Sequence, residues 1–301
     1  MRGVCVNILL TGVNGQVGWE LRRTLATLGT VNAPTSSQLN LTDGDALRSF
    51  IRTLRPELIV NPAAHTAVDK AESEPELARK VNAIAPAIMA EEAAKLGAAM
   101  IHYSTDYVFD GHKPGAYTED DATHPLGVYG ETKLEGENAI RAANIPHLIL
   151  RTSWVYGLRG GNFLLTMQRL FKEREQLRIV ADQYGAPTWS RMIAEATAQM
   201  LAQQPFDRDK SALYGTYNLT SLGRVSWYQF ARTILDLTIQ SGARRPELIP
   251  IRGTDYPTPA QRPANSVLAG DKLQRSFGLS LPDWEAALEL CLDCNKAHGT
   301  D

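Results

Sequence analysis

The stretch ILLTGVNGQVGWEL, residues 8–21, constrains the fold of this chain more than any other. Gly12, Gly15 and Gly18 stand at G-x-x-G-x-x-G spacing, behind an aliphatic run and ahead of a segment with helical periodicity. That context is what a phosphate-cradling strand–turn–helix requires. Gly12 permits the tight turn, Gly15 lets backbone approach a pyrophosphate, and Gly18 lets helix and strand pack closely. Gln16 and Val17 then offer backbone N–H groups at a helix N-terminus, where an anion is favoured.

The rest of the first half repeats the alternation. The runs PELIVNPAA, AAMIHYSTD and HLILRTS read as buried strands. Helical patterns cover residues 19–28, 45–54, 75–96 and 126–143, with Thr42 or Asp43 suited to cap the second and Gly97 to end the third. Strands alternating with helices imply an α/β fold, a Rossmann-like doubly wound parallel sheet covered on both faces. Residues 1–155 are expected to form the dinucleotide-binding domain, with later segments, about 186–220, returning to it. After about residue 155 turn-rich stretches such as DQYGAPTW separate further helical patterns. Residues 156–301 are therefore expected to form mainly a smaller C-terminal α/β substrate lobe.

Charge and cysteine content exclude several functions. With 31 basic and 33 acidic residues in 301, the net charge is −2, so no basic surface for nucleic acid or anionic lipid is expected. No run of 18 apolar residues predicts a membrane span. The start, MRGVCVNILL, runs straight into the glycine pattern without a small-residue cleavage site, and reads as a first strand rather than a signal peptide. Three cysteines make no disulfide framework, so a reducing cytoplasm is the expected location. Cys291, Cys294 and His298 supply three candidate ligands where a structural zinc takes four, and the cysteines read as ordinary helix residues.

The cofactor is constrained next. A dinucleotide fold that prefers NADH places an acid about 20 residues past the glycines, on the ribose 2′-hydroxyl. Here TVNAPTSSQLNLTD has no Asp or Glu before Asp43 and no Arg; Asn32, Thr35, Ser36 and Ser37 are neutral. The stretch favours NADPH and permits NADH.

The chemistry comes from two further stretches. VYGETKLEGE, residues 128–137, sets Tyr129 four residues before Lys133, on one helix face one turn apart. IHYSTDYVF reads as a strand whose end presents Ser104, Thr105 and Asp106. Ligands of doubly wound sheets sit at the carboxyl ends of strands, so the glycine loop, NPAAHTAVD and STD should line one crevice. A phenol titrates near 10; a neighbouring ammonium and an oxidised nicotinamide ring would favour the phenolate and lower that value. Tyr129 can pass a proton to a carbonyl oxygen while a nicotinamide reduces its carbon. Thr105 can bond the same oxygen, and Lys133 can hold the nicotinamide ribose. His65 offers a general acid near neutral pH, but with Tyr129 present a structural or cofactor-edge role is favoured. Trp154 is either a core aromatic or a stacking platform for substrate, the latter favoured by its place after a strand end.

These motifs resemble the extended short-chain dehydrogenase/reductase family. The longer strings NPAAHTAVDKAESEPELA, HYSTDYVFDG, PLGVYGETKLEGE, RTSWVYG, DQYGAPT and YPTPAQRPANS resemble the dTDP-4-dehydrorhamnose reductases within it. The resemblance implies reduction of the 4-keto group of dTDP-4-dehydro-L-rhamnose, the last step of dTDP-L-rhamnose synthesis. It implies Tyr129 as proton donor, Lys133 as its partner and Thr105 as the carbonyl-binding hydroxyl. Asp106, Tyr107, Trp154 and Val68 are then expected on the nucleotide sugar, and Ala64, His65, Thr66 and Tyr103 beside the cofactor. Asn40 and Leu41 fall near the adenine, with Asn40 standing where the family usually has Asp. Asn162, Arg262, Asn265 and Ser266 are expected to grip the nucleotide from the second lobe. Some members are magnesium-dependent dimers with interface glutamates; Glu20 matches one such position, but Arg191 is basic where another acid is sought, so magnesium stays open, as does a monomer or homodimer state. Two alternatives remain at this level: a related nucleotide-sugar epimerase or dehydratase, and a non-catalytic NADP-binding regulatory subunit.

Overall fold

β1 (Val6–Leu10) leads through the glycine loop into α1 (Gln16–Thr24). There follow β2 (Gly29–Asn32), α2 (Gly44–Leu54), β3 (Leu58–Asn61), α3 (Val68–Ser73), α4 (Pro75–Arg79), α5 (Ala85–Leu96), β4 (Ala99–Thr105), α6 (Val128–Ala142) and β5 (His147–Thr152). This is a computed structural model, and it describes residues 6–203, 206, 208–239 and 244–296. Residues 1–5, part of the stretch read above as the first strand, and His298 lie outside the described residues.

Period-two side-chain alternation lets each strand feed two cores. Ile8, Leu10, Val60 and Ile101 face one side, with Leu21 and Leu25. Leu9, Ile59, Met100 and Ile149 face the other, with Leu47, Ile51 and Met89. Each fully buried aliphatic side chain contributes about 1.5–3 kcal/mol. Asp43 caps α2 by accepting from the Ala46 N–H at 3.0 Å, and Gly97 ends α5 in the left-handed region at φ 67°. The pattern over 75–96 is not one regular helix. A π turn, Lys80–Ile84, joins α4 to α5. Pro86 has no N–H to donate to the Asn82 carbonyl, so the regular ladder cannot continue there.

The second half adds β6 (Val155–Tyr156), α7 (Phe163–Glu173), β7 (Gln176–Val180), β8 (Tyr184–Gly185), β9 (Thr188–Trp189), α8 (Ser190–Ala202) and β10 (Gly215–Asn218). Then come β11 (Val225–Ser226), α9 (Trp227–Thr238), β12 (Glu247–Ile251), α10 (Asp271–Phe277) and α11 (Trp284–Lys296). β10 pairs in parallel with β5 and completes a six-stranded sheet of order β10-β5-β4-β3-β1-β2. α8 packs into the α1 face of that sheet through Ile193 and Met200. A separate core of Tyr156, Leu164, Phe171, Phe230, Ile234, Leu288 and Cys291 joins α7, α9 and α11. The short pairs β7–β12, β8–β11 and β6–β9 edge this smaller assembly. Among the described residues no helix is long and apolar enough to cross a membrane.

Candidate active site

Gly12 and Gly18 make the close backbone approaches that their spacing predicts. Gly12 sits at φ +58°, and a Cβ there would meet Ala63 backbone atoms at 2.8 Å. A Cβ on Gly18 would fall 2.1 Å from the Gly12 carbonyl oxygen. Gly15 is the N-cap of α1 and adds no side chain, so the first-turn N–H groups of the helix stay open to an anion. The loop forms one end of a cleft of about 760 Å³. Gly12, Gly15, Gln16, Val17, Gly18, Asn40, Leu41, Ala64, Thr66 and Tyr103 all line it, and this set of small, neutral side chains fits a dinucleotide. Among the described residues, Lys133 and Arg262 are the only lysine or arginine on the cleft and Asp106 its only carboxylate, so the end at the glycine loop carries no charged side chain.

Tyr129, Lys133, Thr105 and Asp106 line the middle of the same cleft. α6 is pinned there by two close approaches. The Val128 N–H donates to Glu72 Oε1 at 2.9 Å, so a side chain from α3 caps the helix. A Cβ on Gly130 would lie 2.2 Å from the Tyr107 carbonyl, so glycine lets the helix press against the segment after β4. The Tyr107 and Tyr129 rings meet edge to face at 5.6 Å. Thr105 Oγ1 donates to Asp106 Oδ1 at 3.1 Å and accepts from the Tyr107 N–H at 3.2 Å.

The electrostatics depart from the expectation that Lys133 lowers the Tyr129 pKa. Burial disfavours the phenolate and pushes Tyr129 well up, outweighing the hydrogen bond with Thr105. Lys133 is buried as well, which pulls it down to about 8 against the pull of Glu137. Its Nζ donates to the Tyr103 carbonyl at 2.6 Å and lies 3.2 Å from His102 Nε2. Burial therefore favours the neutral phenol at Tyr129. Asp106 is pushed up to about 6 by burial, opposed by hydroxyls of Ser266, Ser153 and Thr105.

The opposite wall comes from distant segments. Trp154 takes a positive φ of 45° and stacks on Trp227 with ring centroids 3.4 Å apart. Gly185 seats the indole, because a Cβ there would stand 2.5 Å from it. Arg262 donates from Nη2 to Asp69 Oδ2 at 2.8 Å and from Nη1 to the Tyr107 hydroxyl at 3.1 Å. Val68 and Tyr107 complete this end. Trp227, Thr11 and Asn14 also face the cleft and were not anticipated.

Four anticipated residues stand behind the wall rather than on it. Asn162 caps α7 by accepting from the Leu165 N–H, and its amide donates to Gln16 Oε1 at 2.9 Å. Asn265 donates to the Lys113 and Gly115 carbonyls. Ser266 reaches Asp106 and the Tyr184 carbonyl. The His65 N–H donates to Asn82 Oδ1, while its ring lies 3.6 Å from Glu74. Asn162 thereby braces Gln16 and Ser266 braces Asp106, both on the cleft. Among the described residues no three His, Cys, Asp or Glu side chains gather as a metal site requires. Magnesium finds no support in this geometry. Arg191 faces Glu195 instead.

Residues 6–296 match the family described as the RmlD substrate binding domain. The chain belongs to the dTDP-4-dehydrorhamnose reductase family. The dTDP-4-dehydrorhamnose reductase of Burkholderia thailandensis is 45% identical over 292 residues, covering 95% of this chain and 98% of that one. A crystal structure of a dTDP-4-dehydrorhamnose reductase from Clostridium acetobutylicum superposes with a TM-score of 0.87 at 38% identity, over 96% of this chain and 99% of that one. The Bacillus anthracis dTDP-4-dehydrorhamnose reductase, solved in complex with NADP, gives 0.86 at 33% identity, with the same coverage of both chains.

Proposed function

We propose that the protein reduces the 4-keto group of dTDP-4-dehydro-L-rhamnose to give dTDP-L-rhamnose, the reaction of its family, with NADPH as preferred reductant and NADH accepted. The observation that carries this reading is the convergence of Thr105, Tyr129 and Lys133 beside the glycine loop in one cleft. Bound NADPH supplies the hydride. Gly12, Gly15, Gln16, Val17 and Gly18 hold its pyrophosphate, Asn40 and Leu41 border the adenine, and Ala64, Thr66 and Tyr103 border the rest. Lys133 holds the nicotinamide ribose.

Thr105 turns its hydroxyl proton from Asp106 to the carbonyl oxygen, which polarises the C=O bond. Tyr129 donates its phenolic proton to that oxygen as negative charge develops on it. The buried Lys133 ammonium then stabilises the phenolate left behind. Trp154, Val68, Tyr107 and Asp106 shape the sugar end. Arg262 meets the diphosphate, for which a guanidinium fork is suited. This chemistry belongs in the cytoplasm, where the reduced cofactor is made.

The test follows NADPH, then NADH, absorbance with dTDP-4-dehydrorhamnose generated in situ. Stoichiometric oxidation with dTDP-rhamnose as product is expected. Cofactor binding without oxidation would move the assignment to a different nucleotide sugar or to a regulatory subunit.

A further inference from the structure

A chain of buried polar groups runs from the catalytic helix across the sheet. Lys133 Nζ lies 3.2 Å from His102 Nε2, and His102 Nδ1 lies 3.1 Å from Asn61 Nδ2. Asn61 Oδ1 accepts from Thr11 Oγ1 at 2.5 Å. His102 and Asn61 are fully buried, and Lys133 and Thr11 nearly so. The chain crosses β4, β3 and β1 and ends in the glycine loop. The reaction described above uses Lys133 but none of the other three.

Counting protons constrains this chain. A neutral imidazole has one donor and one acceptor nitrogen. His102 is held neutral, since burial and the Lys133 charge push its pKa far down. If Lys133 is an ammonium, Nε2 must accept from it. Nδ1 then carries the hydrogen and needs the oxygen of Asn61, so the Asn61 amide turns its NH2 toward Thr11. If Lys133 is an amine, its lone pair accepts from Nε2–H. Nδ1 then accepts from the Asn61 NH2, and Thr11 donates to Oδ1. Either arrangement gives each contact along the chain one donor and one acceptor, and mixing them leaves a buried donor facing a donor, which is costly.

We propose that His102 is the positioning residue of Lys133, holding Nζ against the Tyr103 carbonyl, and that its tautomer, set with the orientation of Asn61, follows the charge on Lys133. This deepens the catalytic reading of Lys133 and rests on it. The other charged group acting on Lys133 is Glu137, one turn on along α6; Tyr129 stands one turn before it and lines the same cleft, and the Asp106 carboxyl acts on Tyr129. Glu137 is tied to Arg151 of β5 and to Arg141. Its charge is therefore fixed by that pairing, and His102 is the neutral partner that can adapt.

The test is a matched pair in the full-length protein. His102→Gln keeps an acceptor where Nε2 stands; His102→Asn keeps only the contact to Asn61. His102→Asn is expected to lower kcat roughly tenfold to a hundredfold, the worth of one hydrogen bond to a charged group. Its alkaline limb should also move to lower pH, because the ammonium has lost its acceptor. His102→Gln should restore both. Two variants alike, with the wild-type pH profile, would overturn the proposal. If neither variant folds, ¹⁵N NMR of the wild-type imidazole decides. The hydrogen should move from Nδ1 to Nε2 as pH rises through about 8, where Lys133 titrates. Lys133→Met should abolish that movement. A tautomer unchanged through that range overturns the proposal whether or not the protein turns over dTDP-4-dehydrorhamnose, so the spectrum separates this inference from the assigned reaction.

Discussion

The two walls of the cleft are built by different means. The sheet wall carries Thr105, Tyr129 and Lys133 on regular elements, and its approaches are set by glycines whose missing Cβ atoms admit neighbouring backbone. The facing wall carries Trp154, Trp227 and Arg262, held mainly by side chains: the indole stack seated over Gly185 and the fork to Asp69 and Tyr107. A wall fixed by backbone keeps reacting atoms within the tight tolerance that bond-making needs. A wall fixed by side chains can change with the ligand it must fit. Chemistry and selectivity should therefore fail separately.

The largest separation is expected from Tyr129→Phe. It removes the donated proton but keeps the ring and its packing against Tyr107. Turnover should fall by a factor on the order of 10² to 10⁴ while NADPH binding stays nearly unchanged. Steady-state rates beside a cofactor fluorescence titration would show this, and wild-type turnover would end the proton-donor assignment.

Glu137→Gln probes the rigidity of the sheet wall. Glu137 and Arg151 are paired at 2.9 and 2.8 Å and are both buried. Removing one charge leaves Arg151 unbalanced, and a loss of about 3–5 kcal/mol in urea unfolding is expected. A loss within error would mean that Arg141 or water compensates.

Trp227→Ala tests the facing wall. Its loss unseats Trp154, and the KM for the nucleotide sugar should rise roughly tenfold with the KM for NADPH unchanged. An equal rise in both would show that the two walls are not separable. The smallest effect is expected from Asp69→Asn, which loosens Arg262 through a half-exposed pair. A change of only a few-fold in nucleotide-sugar KM should follow, and its size should shrink in high salt.

The same contrast explains what could be read from sequence. The glycine loop and the Tyr129–Lys133 pair were legible because helix and turn geometry turn short spacings into positions in space. Asn162 shows the limit. It stands before FLLTMQRLF, where Asn is a favoured N-cap, yet its motif context points to ligand binding, and the structure uses the side chain as cap and brace. Trp227 opens an amphipathic helix with no local sign that it will meet Trp154. Arg262 and Asp69 are 193 residues apart. The contact of Lys133 with His102 was also hidden, because burial of a pair depends on what the rest of the chain lays over it.

The sixth strand carries a consequence for biosynthesis. β10 and α8 belong to the first sheet but emerge from the ribosome after residues 155–189 of the other assembly. Until Asn218 has emerged, β5 is an open edge, and Leu21 of α1 and Leu25 just beyond it lack their cover from Ile193 and Met200. A nascent chain halted near residue 160 would hold its glycine loop and Tyr129 on an unfinished scaffold with a sticky flank. The nucleotide site thus matures late, after the more distant half of the polypeptide has been made.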